Sequence, residues 1–237
     1  MVNAISSIAR RQDCALVLVF RRPRIQHGKR RLAATLGERL AVEFSRLALN
    51  CALEDLRAWR GKVVVAPERP EDTGWAGKLL TAQAAAGTRP IILAQGPGNL
   101  GRRLERLDRK LRGMGFRRRI YIGSDAPALG PRQYRRVVAG LGTHDVVLPS
   151  ARDGGVTMMA TRRGWPGLAA LPWGIPGLAD ALSAACRRLG YRVLRFPGGF
   201  DVDRASDMSR LHRALSGDRR PARRELLDWL ERNGLVR

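Results

Sequence analysis

The order of hydrophobic patterns along the chain narrows its possible folds more than any single motif does. Short runs of β-branched and aliphatic residues alternate with longer segments in which apolar residues recur every three or four positions. This alternation is typical of α/β proteins built around a largely parallel sheet. The predicted strands are residues 14–20, 62–66, 90–94, 119–123, 145–148, 156–160 and 191–196.

Helical periodicity separates these strands. Between the first two, apolar residues recur at steps close to one helical turn, which predicts a long helix with one face on the sheet. Asn99 is a suitable N-cap for a helix that ends near Gly113. Residues 131–141 and 178–189 are predicted to form two more helices. The periodic positions of the long helix are Leu40, Phe44, Leu47, Cys51 and Ala58.

A change in composition near Ser216 suggests how the chain is divided. A basic run over residues 219–224 precedes an amphipathic segment that carries Leu226, Trp229 and Leu230. We therefore predict an N-terminal extension over residues 1–13, an α/β domain over residues 14–215 and an appended basic C-terminal helix over residues 216–237.

The charge of the chain is strongly unbalanced. The 237 residues include 44 Lys and Arg against 21 Asp and Glu, a formal net charge of +23, and only four of the cations are lysines. Such a surplus suits phosphate-bearing partners, because guanidinium groups bind phosphate oxygens in a two-pronged geometry. The alternative is a compositional preference for arginine on solvated faces. Nonspecific polyanion binding is expected at low salt in either case.

The cysteines indicate a reducing compartment. Cys14, Cys51 and Cys186 are odd in number and lie in apolar stretches, so we expect buried free thiols. The longest apolar runs fall far short of the ~20 residues that span a bilayer, which predicts no membrane insertion. The expected location is the cytoplasm.

Ligands of open α/β sheets bind beyond the carboxyl ends of the strands, so the loops after the strands are the first candidates for a site. The loop after the first strand carries Arg22, Gly28, Lys29 and Arg31, and a helix follows it. A flexible glycine followed by cations can hold a di- or triphosphate. The alternative is a solvated basic turn, and a lone His27 there is more typical of a surface residue than of a general base.

Acidic residues follow two later strands. Asp125, within Gly123-Ser124-Asp125-Ala126-Pro127, can hold a divalent cation at a strand end, or it can simply form a turn. For Asp201 and Asp203 we expect one carboxylate to face the cleft while the other anchors the loop. The alternative is that Asp203 or Ser206 caps the next helix.

Taken together, these stretches resemble the bacterial glycosyltransferase-like proteins of the nucleotide-diphospho-sugar transferase superfamily, which are distantly similar to phospholactate guanylyltransferases. The similarity runs from about Leu16 to Leu211 in the family's order. It implies a three-layer α/β/α GT-A fold with a mainly parallel mixed sheet. The matching stretches are Arg22-Pro23, residues 28–33, Gln95 with residues 99–103, residues 123–127, Asp145 with Pro149, residues 153–155, Pro172-Trp173, and residues 201–203 with Asp207.

The resemblance also implies roles for single residues. Lys29, Arg31, Asp125 and Asp203 would be catalytic, and Asp125 and Asp203 would bind Mg²⁺ or Mn²⁺. The nucleotide-binding residues would be Arg22, Gly28, Lys29, Arg31, Gln95, Leu100, Gly101 and Ser124. The residues against the rest of the substrate would be Asp153, Gly154, Gly155 and Trp173.

These roles predict a magnesium-dependent transferase that uses a nucleotide sugar or a nucleoside triphosphate and passes the sugar to a small, unidentified acceptor. One alternative is a nucleotidyltransferase that joins a nucleoside monophosphate to a phosphorylated or carboxylated molecule and releases pyrophosphate. Another is a non-catalytic relative or an RNA- or DNA-binding protein. Aromatic residues make up only 5% of the chain, which argues against specific base recognition.

Overall fold

A computed structural model describes residues 14–26, 28–81, 90–151 and 154–236 of the chain. Within these residues, seven strands form one mixed sheet in the order β3-β2-β1-β4-β6-β5-β7, in which only β6 runs antiparallel to its neighbours. The predicted α/β class with a mainly parallel mixed sheet is confirmed. The strands are β1 (Cys14–Phe20), β2 (Val63–Pro67), β3 (Ile91–Ile92), β4 (Arg118–Ile122), β5 (Val146–Ser150), β6 (Met158–Thr161) and β7 (Val193–Pro197).

Helices cover both faces of the sheet. Apolar residues of α2, α3 and α5 pack on one face, and those of α4 and α6 pack on the other. Alternate residues of β1 are buried in the two layers, Leu16 and Leu18 in one and Ala15 and Val17 in the other. The helices are α1 (Arg30–Leu36), α2 (Glu38–Arg57), α3 (Thr73–Thr81), α4 (Leu100–Gly113), α5 (Pro131–Gly140), α6 (Leu178–Arg188), α7 (Met208–Leu215) and α8 (Pro221–Arg232).

The prediction for the long helix is wrong in one respect. Phe44, Leu47 and Cys51 do not pack on the sheet but join a separate apolar cluster with α7 and α8. The sheet is covered instead by Leu49, Ala52, Leu53 and Leu56 on another face of α2, while Ala58 lies just past the end of the helix and is exposed. The helical period identifies an apolar face but not the element that covers it.

Of the seven strands described, β1 alone keeps its predicted bounds, and the largest differences are at β3, β6 and β7, where β7 begins two residues later than predicted. β3 contains only Ile91 and Ile92, and Val156 forms an isolated bridge to Ser150 ahead of β6. The three cysteines are buried and free, as predicted. Within the described residues, no helix is long and apolar enough to cross a membrane. The division of the chain at residues 13 and 215 stays a prediction.

Candidate active site

A cleft of about 950 Å³ opens at the carboxyl ends of the parallel strands β1 and β4. The loops after these two strands and the segment after β7 contribute most of the charged side chains in its wall. The cleft therefore lies at the edge of the sheet where the sequence predicts a ligand site. It is large enough for a nucleotide-sized ligand.

A backbone hydrogen bond joins the two acidic segments. The Val202 N–H donates to the Asp125 carbonyl oxygen at 2.8 Å. The Val202 side chain is fully buried in the cluster that includes Leu32 of α1 and Met208 of α7. This bond places the segment carrying Asp201 and Asp203 beside the loop that carries Asp125, although the two are far apart in sequence.

Asp201 and Asp203 both line the cleft, so the expectation that only one would face it is wrong. Residues i and i+2 of an extended segment lie on the same side, and the buried Val202 between them points the other way. The helix that follows is not capped by Asp203 or Ser206. Instead, the Asp207 carboxylate accepts hydrogen bonds from the Asp203 and Arg204 backbone N–H groups at 2.9 and 2.8 Å.

Lys29 contacts Asp203 and interacts electrostatically with Asp125 and Asp201. Its ammonium group donates to Asp203 Oδ1 at 2.9 Å and to the Val202 carbonyl oxygen. Burial alone would lower the pKa of Lys29, but the carboxylates of Asp125, Asp203 and Asp201 outweigh it and raise the pKa above the ordinary 10.5. The site thus stabilises a positive charge among three acidic side chains.

The loop that carries Lys29 has an unusual backbone. Gly28 and Lys29 both have positive φ values, 86° and 44°, which turn the chain into helix α1. Arg31 follows at the start of that helix, is exposed and lines the cleft. Its guanidinium makes no ion pair with any of the described residues, so it is available to a ligand. His27 lies outside the described residues.

Two predicted nucleotide-binding residues also have structural partners. Arg22 lines the cleft, but its guanidinium lies 3.3 Å from Asp72 and 4.8 Å from the centre of the Trp75 ring. Gln95 is buried, and its amide N–H group donates to the Ala66 and Phe20 carbonyl oxygens at 2.7 and 3.3 Å. Gln95 therefore ties the ends of β1 and β2 together while it forms part of the cleft wall.

Another part of the cleft wall depends on close packing around Gly101. A Cβ at Gly101 would lie 2.1 Å from the Leu168 carbonyl oxygen, which also accepts a hydrogen bond from the Trp173 indole N–H at 2.7 Å. Leu100 and Trp173 line the cleft, whereas Gly101 lies behind them and lets the two segments meet.

Only part of the predicted Asp-Gly-Gly segment lines the cleft. Asp153 lies outside the described residues. Gly154 has a φ of +83° and accepts a hydrogen bond from the Ala179 N–H at 2.9 Å, but it does not line the cleft. Gly155 lines the cleft, as does Ser124 beside Asp125.

Four further arginines belong to this region, and of these only Arg103 lies in a stretch that carries the family resemblance, residues 99–103. Arg103, Arg204 and Arg210 line the cleft, and Arg210 stacks over the Phe200 ring at 3.9 Å. The fourth, Arg223 of α8, supports the Asp125 loop from behind. It donates to the Pro127 and Leu129 carbonyl oxygens at 3.1 and 3.2 Å.

Comparison with known proteins identifies the fold and the family of this chain. The chain has the nucleotide-diphospho-sugar transferase fold that the resemblance implies. The structure is similar to that of a proposed nucleotide-diphospho-sugar transferase from Desulfovibrio desulfuricans G20, with a TM-score of 0.81 and 19% identity over 95% of this chain and 99% of that one. Residues 47–174 match the family described as "Uncharacterized protein conserved in bacteria (DUF2064)", and the chain belongs to that family.

More distant structures share the fold. A 4-diphosphocytidyl-2C-methyl-D-erythritol synthase matches with a TM-score of 0.52 and 16% identity over 85% of this chain and 98% of that one. The enzyme of the same name from Anaerococcus prevotii DSM 20548 matches with a TM-score of 0.53 and 8% identity over 94% of this chain and 99% of that one. No curated protein matches the chain in sequence.

Proposed function

We propose that this protein is a magnesium-dependent transferase that binds a nucleotide sugar or a nucleoside triphosphate in the cleft and passes the sugar to a small acceptor. The observation that carries the proposal is the convergence of Lys29, Asp125 and Asp203 at the carboxyl end of the sheet. The folds named above belong to proteins described as transferring or joining nucleotide-linked groups, which supports a transferase of this kind.

Lys29 and Arg31 are the residues that we assign to the phosphates. Both line the cleft, and Lys29 remains protonated because the neighbouring carboxylates raise its pKa. A cation fixed beside a diphosphate stabilises the negative charge that grows on it as its bond to the transferred group breaks. Positioning the two substrates would supply much of the remaining acceleration.

The chemistry of the acidic side chains fits a divalent metal ion. Carboxylate oxygens are the ligands that Mg²⁺ prefers, and about half of the Asp203 side chain is open to solvent. Among residues that the structure describes, no group of three or more acidic, histidine or cysteine side chains is arranged as a metal site. We assign Asp125 and Asp203 as its two protein ligands because their segments are joined by the Val202–Asp125 hydrogen bond, and the ion would neutralise charge on the diphosphate when bound.

A second candidate reaction is nucleotidyl transfer with release of pyrophosphate. Two of the proteins that share the fold are named as 4-diphosphocytidyl-2C-methyl-D-erythritol synthases, which favours this alternative. The same Lys29 and Arg31 would then face a triphosphate. Steady pyrophosphate release from a nucleoside triphosphate, in the presence of phosphorylated or carboxylated acceptors, would select this reaction over glycosyl transfer.

A thermal-shift series with nucleotides and nucleotide sugars, with and without Mg²⁺, tests the proposal. A ligand that binds the folded state raises the melting temperature. We expect Lys29→Ala to weaken binding of the best nucleotide by about tenfold or more, because a charge-assisted contact is lost. The exposed Lys62, which lies outside the cleft, provides the matched control Lys62→Ala. No shift with any nucleotide, or equal effects of the two variants, would contradict the proposal.

A further inference from the structure

A second cavity of about 300 Å³ adjoins the active-site cleft. The two share Arg21, Arg22 and Gly28 as lining residues, so the smaller cavity lies directly beside the loop that carries Lys29. We call it the arginine pocket, because five arginines form most of its wall. These are Arg21, Arg22, Arg24, Arg30 and Arg69.

Two carboxylates in the wall hold several of these arginines in place. Asp72 is only 2% exposed, and its Oδ1 lies 2.5 Å from Arg24 Nη2 and 3.3 Å from Arg22 Nη1. Glu68 lies 2.7 Å from Arg21 Nε. Arg22 is further fixed by its position over the Trp75 ring. A buried acid that holds two guanidiniums together distinguishes this pocket from a solvated basic surface, where each long side chain moves independently.

The charges in the pocket do not balance. Five arginines and two carboxylates line it, Arg69 has a third acidic partner in Glu71 at 3.7 Å, and Arg30 makes no ion pair with any residue that the structure describes. Cations held this close together repel one another, and an anion between them relieves the repulsion. Guanidinium groups in fixed positions suit phosphate oxygens because they donate two parallel hydrogen bonds. The cavity is larger than one phosphate group, which leaves room for the molecule that carries it.

We propose that the arginine pocket binds the phosphate group of the acceptor, so that the acceptor is a small phosphorylated molecule. Its role as an acceptor site rests on the proposed function, since it requires a nucleotide donor in the adjoining cleft. The walls shared between pocket and cleft place the rest of such a molecule next to Lys29. The terminal phosphate of the donor has the same chemistry, and the experiment below separates the two sources.

The first arm is a calorimetric titration of the protein with inorganic phosphate at physiological salt. We expect saturable binding that Arg24→Ala and Arg30→Ala each weaken by about tenfold, which corresponds to the loss of one charge-assisted contact. Arg24→Lys should give an intermediate loss of phosphate affinity, because lysine keeps the positive charge but cannot donate two parallel hydrogen bonds. Arg30→Ala removes no ion pair seen in the structure, so it still tests the proposal if the Arg24 variants fold poorly. The exposed Arg135 of α5 gives the matched control Arg135→Ala.

The second arm repeats the phosphate titration on protein saturated with a nucleoside triphosphate. Phosphate binding that persists supports an acceptor site, whereas phosphate displaced by the triphosphate would assign the pocket to the donor and overturn the proposal. Absence of saturable phosphate binding, or equal effects of Arg24→Ala, Arg30→Ala and Arg135→Ala, would also overturn it. If phosphate binds but no nucleotide does, the proposed function fails, and the acceptor assignment fails with it for that separate reason.

Discussion

Two regions of the molecule hold a buried or half-buried cation among carboxylates, and they differ in what is left open. Arg223 of α8 is wholly enclosed, and its three guanidinium nitrogens donate to Glu54, Asp55 and three backbone carbonyl oxygens. Lys29 has a side chain that is 16% exposed, and its partner Asp203 has one that is 52% exposed. A cation paired with carboxylates is therefore enclosed by protein at Arg223 and faces a cleft at Lys29.

This difference separates a structural role from a functional one. Every nitrogen of Arg223 has a protein partner, so the cluster around it has no free donor for a ligand. The carboxylates around Lys29 raise its pKa and remain accessible from the cleft, where phosphates and a metal ion can reach them. The closed cluster also supports the open one, because Arg223 binds the carbonyl groups of Pro127 and Leu129 just after Asp125.

The largest expected effect is the loss of stability caused by removing the Arg223 guanidinium. Arg223→Ala should lower the free energy of unfolding by about 3–5 kcal/mol, because it leaves the carboxylate of Asp55 buried without that partner. Urea denaturation monitored by circular dichroism would measure the loss. Arg224→Ala, at an exposed position of the same helix, is the control and should change stability by less than about 0.5 kcal/mol. Equal denaturation midpoints for the two variants would show that the Arg223 cluster contributes nothing.

The sequence predicts most of the fold because its local signals are strong. Strand β1 matches its predicted bounds, and the Asn99 side chain accepts a hydrogen bond from the Arg102 N–H at 2.9 Å, as an N-cap should. Helix α3 is missed, because Gly74 and Gly77 weaken its helical propensity and its formation depends on tertiary packing. A Cβ at Gly77 would lie 3.1 Å from the Ile92 side chain, which shows how closely α3 approaches β3.

The site is predicted less completely than the fold. Lys29, Asp125 and Asp203 can be selected from their positions after strands, and the structure brings all three to one cleft. The bond between Val202 and Asp125 depends on the topology of the sheet, so no local pattern reveals it. Arg223 belongs to a basic run in the sequence, and a charge alone does not indicate whether it is solvated or buried against acids.

The pH dependence of stability should reveal the ion pairs of Lys29, with a smaller effect on stability than that of Arg223→Ala. Because the pKa of Lys29 lies above 10.5 in the folded protein, the stabilisation from its ion pairs is complete below that pH and is lost as the pH rises through the raised pKa. Melting temperatures of the protein and of Lys29→Met, compared between about pH 8 and about pH 11.5, would measure this. Their difference should shrink at the alkaline end, whereas Lys62→Met should show no such trend. A difference that grows with pH would contradict the assignment.

The most direct test of the central claim is the Mg²⁺ dependence of nucleotide binding in Asp125→Asn and Asp203→Asn. We expect Mg²⁺ to tighten binding to the unaltered protein and to have little or no effect on binding to either variant, because each has lost one of the two proposed ligands. Asp228→Asn, at an exposed position on α8, should behave like the unaltered protein. If both variants kept the full response to Mg²⁺, Asp125 and Asp203 would not form a shared metal and phosphate site, and the account of the cleft would be wrong.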